Sequence, residues 1–411
     1  MTDEAVRETP QLMAAADDGC WQGPAATELK RLLRLAGPTV ASCFLQNAVN
    51  IISLMFIGHL GKLPLAGASL AISITSATGL NIITGMATAL DTLCGQAFGA
   101  RQYHLLGVYK QRAMLVIGLA LILAFIAQDA AVAAEAGAYA RWLIPSIFVS
   151  VPLQCHVRFL QTQSLVLPVA ASSGVTALCH LAVCWAVVYK AGMGSKGAAL
   201  SNAISYAVNL LMLAMYVRMS GACKRTWNGF SVEGLKELRP FAALAAPSAL
   251  MICLEFWAFE IVVLVSGLLP NPQLEASVLS ICTRVSNELG AGQHQAANND
   301  KEVVSYYAKM LPVLGISFFV DGLHASLSGV LTGCGKQKIG AAINLGAFYL
   351  AGIPMALLLG FVFHMKGMGL WLGMMGGSIA KVLLFASVAW FIDWNKEAVK
   401  AKDRVFSSSL L

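Results

Sequence analysis

The sequence predicts an all-α membrane protein of about ten spans, arranged as two lobes related by an inverted or internal repeat. Three observations predict it. Of 411 residues, 57% are hydrophobic and only 12% charged, with a mean hydropathy of +0.69, whereas soluble domains are about a quarter charged. The apolar residues fall in runs, such as 199–217 and 241–254, that approach or reach the roughly 20 residues needed to cross a bilayer. Finally, the first apolar stretch recurs 209 residues further on.

Residues 1–34 are polar and mixed in charge, and read as a cytosolic tail. They lack the basic-then-apolar start of a secretory signal, so the first true span serves as the insertion signal. Spans follow at 35–59, 65–93, 112–127, 137–163, 167–189 and 196–219. The third is the weak one, because Met114–Ile126 is short unless polar neighbours snorkel or the bilayer thins. These six make a first lobe over 35–219, and 220–238 is a cytosolic linker. Four more spans, at 239–268, 304–332, 338–363 and 367–393, make a second lobe over 239–394, before a cytosolic tail over 395–411.

The net charge of +7 does not signal nucleic acid; it reads as cytosolic loops rich in Lys and Arg. With both termini cytosolic, most of the 28 basic residues fall on that side, including Arg101, Lys110, Arg112 and Lys338. The opposite loop at 128–136 holds Asp129 and Glu135 and no base. The ten cysteines are scattered without a C-x-x-C, so neither a disulfide frame nor a zinc site is signalled; they act as small hydrophobes.

The repeat pairs 35–58 with 244–267 without a gap, matching Pro38 to Pro247 and Gly58 to Gly267. FGARQYHLL at 98–106 then pairs with LGAGQHQAA at 289–297, and Gly192-Met193-Gly194 with Gly367-Met368-Gly369. Three matches in one order are a duplication, and secondary transporters commonly place their site where such repeats meet. The spacing is unequal. Ser69 to Gly99 is 30 residues but Ser277 to Gly290 only 13; Gly99 to Pro145 is 46 but Gly290 to Pro312 only 22. Each deficit is about one span, so a pair of crossings is missing from the second lobe. Losing a pair keeps downstream orientation and puts 283–302 on the non-cytosolic side, opposite to its twin at 95–111.

CLEFWAFE at 253–260, TRVSNELGAGQ at 283–293, GMGLWLG at 367–373 and FLQTQ at 159–163 resemble the plant branch of the multidrug and toxic compound extrusion (MATE) transporters. The resemblance covers about 28–395. It implies twelve helices in two six-helix lobes, a central cavity, and export of organic compounds coupled to inward proton or sodium flow. This chain departs from it by lacking the eighth and ninth helices between Ile281 and Val303.

Acids inside spans are costly and usually functional. Here they are Glu255 and Glu260 in the seventh span, Asp321 in the next, and Asp91 near the cytosolic end of the second. Through the repeat, Glu255 falls on Gln46, and Asp321 falls on Gln154. The same scaffold position is neutral in one lobe and ionisable in the other, as proton coupling requires. A carboxyl in a dehydrated cavity can bind and release a proton near physiological pH. Glu260 lies five residues from Glu255, roughly 140° around the helix, so both cannot point fully into one cavity. The resemblance implies acids at all three positions in plant members. It places a bacterial members' acid at the position of Ser53.

Trp257 and Phe256 either stack on flat or cationic substrates or pack as ordinary aromatics. Gln46, Asn47 and Asn50 either line a cavity or bond helix to helix. Lys381, mid-span, either pairs with Asp321 or Glu255 or sits in a loosely packed helix, the latter being favoured. Gly290-Ala291-Gly292 lacks phosphate-loop spacing, and no catalytic motif stands out, so neither enzyme activity nor a cofactor is expected. The expectation is an antiporter in the vacuolar or plasma membrane, exchanging organic cations, xenobiotics or secondary metabolites for protons. Its partners are a small organic substrate, the proton (sodium less so) and the bilayer. The alternatives are a transport-incompetent form acting through full-length partners, and a lipid flippase of the same superfamily.

Overall fold

The computed structural model describes residues 24–126, 134–266, 268–269 and 301–409. Among these, ten helices are long and apolar enough to cross a membrane, and no residue is in a strand. They are α1 (Leu29–Gly58), α2 (Gly67–Gly99), α3 (Tyr103–Ile122), α4 (Arg141–Gln161) and α5 (Val166–Lys190), followed by α6 (Gly194–Met219), α7 (Leu238–Ser266), α8 (Leu311–Gly333), α9 (Gln337–Val362) and α10 (Lys366–Trp390). The orientation expected for 283–302, the motif at 283–293 and most of the 128–136 loop lie outside the described residues.

Both supposed tails are partly helical. The helix carrying α1 already starts at Pro24, and the C-terminal stretch folds as α11 (Trp394–Ser409). Lys336 and Lys400, each 3.0 Å from Glu397, hold that carboxyl below its usual range. Val405 of α11 is also buried.

The third span is not short, which corrects the expectation. Its helix runs from Tyr103 to Ile126, and Lys110 and Gln111, which precede the expected span at 112–127, are inside it and buried, as is Arg112. Each has a reason to be there. The Lys110 ammonium lies 3.5 Å from the Trp227 ring centre and 4.6 Å from that of Phe159, a cation–π cage that replaces water. Gln111 donates to the Gly229 carbonyl at 2.8 Å and accepts from the Ser231 N–H at 3.0 Å. Arg112 reaches the Glu233 carbonyl at 3.4 Å. Three consecutive polar residues thus clasp the interlobe linker, so burying them costs little.

The lobes meet along α2 and α7. At Gly85 a Cβ would stand 2.6 Å from the Ala249 Cα, so only glycine lets these helices cross so closely. Further along α2, Thr92 donates to the Thr332 carbonyl and accepts from Gln337 Nε2 at 2.7 Å. Gln96 donates to the Gly333 carbonyl at 2.9 Å and accepts from Arg404 at 2.8 Å. These bonds join the lobes at one face, which is the face that carries the expected cytosolic basic residues; it is called the basic face below.

One span stands apart. Only 6% of the apolar window of α8 is buried, against at least 22% for every other described span. Phe318 and Phe319 are each 70% exposed. An apolar helix with so much of its surface uncovered by described residues is what a lobe short of a helix pair leaves behind.

Candidate functional site

Three C-lobe helices converge on one charge cluster. α7 brings Glu255, α10 brings Lys381, and α8 brings Asp321 and His324 one helical turn apart. Lys381 Nζ is 2.7 Å from Glu255 Oε2, and His324 Nε2 is 3.1 Å from Glu255 Oε1. His324 Nδ1 lies 3.9 Å from Asp321 Oδ1, too far for a hydrogen bond but close enough to link the two acids electrostatically. The Lys381 side chain is 1% exposed, His324 12%, Glu255 20% and Asp321 42%. Asp321 is therefore the open end of the cluster and Lys381 its closed end. Lys381 also faces the rings of Phe348 and Phe385. The loosely packed Lys381 expected from the sequence is thus corrected: α10 is tight, because an ammonium so deep must be held by a carboxylate.

The neutral counterparts in the N-lobe line something different. Gln46, Asn47 and Gln154 border a cavity of about 400 Å³ between α1, α2, α4, α5 and α6. Gln46 does both things expected of it: it lines the cavity and reaches Ser173 of α5 at 3.4 Å. Asn47 turns its amide to the Cys43 carbonyl of its own helix. Arg158, also at the wall, is paired with Asp91 at 3.0 Å. Among the described residues, Phe256 is the C-lobe side chain that lines this cavity, while its neighbour Trp257 does not line it. The Trp257 indole N–H instead donates to the Ala77 carbonyl at 2.9 Å, within the π-helical turn Ser76–Leu80 of α2; such turns recur at functional sites. Trp257 is thereby a second tie between the lobes. Glu260 joins neither group, and no ion pair or side-chain hydrogen bond connects it to a described residue.

Two residues escaped the sequence reading. His324, three residues beyond Asp321, was signalled only by a histidine on the same helix face as an acid. His180 sits fully buried in the N-lobe, 3.0 Å from Ser53 and 2.8 Å from Ser205. Ser53 donates to Asn202 Oδ1 at 2.7 Å. That carbonyl oxygen can only accept, so the Ser53 hydroxyl takes its second bond from the His180 Nε2–H. Where bacterial MATE members were expected to carry an acid, this chain has a satisfied network centred on a histidine.

The MatE family description matches residues 38–186 and 294–358, stretches of 149 and 65 residues that together cover over half of the chain. The second stretch is less than half as long as the first. Protein DETOXIFICATION 16 of Arabidopsis thaliana is 46% identical over 93% of this chain and 92% of its own length. Protein DETOXIFICATION 17 of the same plant is 44% identical, over 93% and 94%. These alignments run over 446 and 445 positions, more than the 411 residues present here. The relatives therefore hold residues, inside the matched range, that this chain lacks. The crystal structure of the eukaryotic MATE transporter AtDTX14 superposes with a TM-score of 0.82 at 40% identity, over 92% of this chain and 99% of that one. A Vibrio cholerae MATE transporter shares the fold at 17% identity and a TM-score of 0.65. Both lobes, despite the shortened second one, place the chain in the MATE family of membrane transporters, to which it belongs.

Proposed function

We propose that the chain is a secondary active antiporter that exports organic cations, xenobiotics or plant secondary metabolites in exchange for protons. It acts in the vacuolar or plasma membrane with its basic face and both termini in the cytosol. The observation that carries this reading is the half-buried Glu255 held between Lys381 and His324. A proton arriving on Glu255 cancels the charge that compensates Lys381, and an uncompensated buried ammonium costs several kcal/mol. α7 and α10 must then repack, with Asp321 as the alternative carboxylate for the cation. α7 is tied to α2 at Ala77 and crosses it at Gly85, so its movement is passed to the wall of the N-lobe cavity. That cavity, at about 400 Å³, suits a small organic molecule, and its amide side chains at Gln46, Asn47 and Gln154 can orient one. Phe256 offers it an aromatic face. The names of the DETOXIFICATION relatives support xenobiotics as cargo.

The test is a fluorescent organic cation loaded into vesicles containing the chain. A proton gradient imposed without sodium is expected to drive its movement, and a sodium gradient at equal pH is not. Movement with sodium alone would overturn the proton assignment.

A second reading keeps the family but not the activity. The low burial of α8 among the described residues and the residues missing relative to the relatives favour a form impaired in transport that acts by associating with full-length partners.

A further inference from the structure

A second cavity, of about 300 Å³, opens between the lobes at the basic face. It lies where the basic-face halves of α2 and α3, the starts of α7 and α9, and α11 come together. Its charged lining is Arg112, Lys338 and Arg404, against Glu237 as the acid. Its remaining wall is largely apolar, with Leu93, Phe241 and Leu244. Glu237 balances one cation, standing 3.6 Å from Arg112. Arg112 is only 5% exposed, and its Nε has no hydrogen-bond partner. Lys338 is exposed, and no described acid pairs with it.

An excess of positive charge over greasy walls, at the level where the spans end, has a specific complement. Guanidinium groups bind phosphate in a planar fork and an ammonium adds a point charge. Basic pockets between spans on the cytosolic side suit anionic lipid headgroups. We propose that this cavity binds a phosphate-bearing anion with an apolar tail, namely an anionic phospholipid of the cytosolic leaflet. Arg112 belongs to the N-lobe, Lys338 to the C-lobe and Arg404 to α11. The bound phosphate therefore bridges all three and favours the state in which the basic face is closed. The Arg404–Gln96 bond and the Gln96–Gly333 bond already hold that face together, and the lipid reinforces them.

The experiment uses the full chain in vesicles of phosphatidylcholine alone or with a minority of phosphatidylinositol phosphate, read by thermal unfolding and native mass spectrometry. The phosphorylated lipid is expected to raise the melting temperature and to be retained by the protein. Lys338→Gln should weaken retention about fivefold, in line with the contribution of one cation near a lipid surface. Lys338→Arg should restore it, and both variants should melt like the parent in phosphatidylcholine alone. Soluble inositol phosphate is the second arm. An effect confined to the lipid supports a membrane source, and an equal effect of the soluble compound supports recognition of the phosphate by itself. Stabilisation by neither, or retention unchanged in Lys338→Gln, overturns the proposal.

Discussion

Lys381→Met is expected to lower the unfolding free energy by about 3 kcal/mol or more, the usual cost of stranding one partner of a buried ion pair. Lys381 is 2.7 Å from Glu255 and 1% exposed, so the variant takes a buried cation away from the carboxylate it is paired with. His324 remains on the other oxygen of Glu255, which keeps the loss nearer the lower end of the range. Methionine fills most of the lysine's volume, so cavity formation adds little. The double variant Lys381→Met/Glu255→Gln is expected to regain most of the loss, because neither site then carries a charge. Thermal unfolding of the parent, both single variants and the double variant forms the cycle that isolates this pair. No recovery in the double variant would show that Lys381 contributes packing and not pairing.

Restoring the missing pair of spans, by inserting the corresponding segment of a DETOXIFICATION relative between Ile281 and Val303, is expected to raise export per molecule severalfold or more. Alternating access requires one side of the cavity to be closed at each step. With α8 so little buried among the described residues, the lobe that holds Glu255 and Asp321 lacks part of its wall, and on the proposed mechanism proton movement there would not be confined to the transport cycle. The measurement is export by matched amounts of both forms in the same membrane. Equal rates would mean that the missing spans are dispensable and that the chain is a complete transporter as it stands.

Membrane spans were legible because a bilayer imposes a length and an apolar composition that a sequence records directly. Gln46, Asn47, Gln154, Glu255 and Asp321 stand out as candidates for the complementary reason: a polar residue is conspicuous in such a run. What joins them is not. Lys381 and Glu255 are 126 residues apart, and nothing local to α10 says that α7 is its neighbour. The length of α3 is hidden in the sequence for the same reason. Lys110 looks like a loop residue until Trp227 and Phe159 are seen around it, and Gln111 until the linker backbone is seen on its amide. His324 is marked in the sequence only by its place one turn from Asp321 on the same helix face.

The most direct test of the account compares Glu255→Gln with Glu260→Gln in vesicles, both in this chain and in the span-restored form. Glutamine is what the repeat carries at the matching Gln46, so the scaffold accepts it at 255. The account predicts that Glu255→Gln abolishes proton-driven export while the protein still inserts and unfolds cooperatively. Glu260→Gln, outside the charge cluster, should keep most of the activity and its dependence on the proton gradient. Export by Glu255→Gln that is undiminished and still follows the proton gradient would contradict the assignment of Glu255 as the proton carrier.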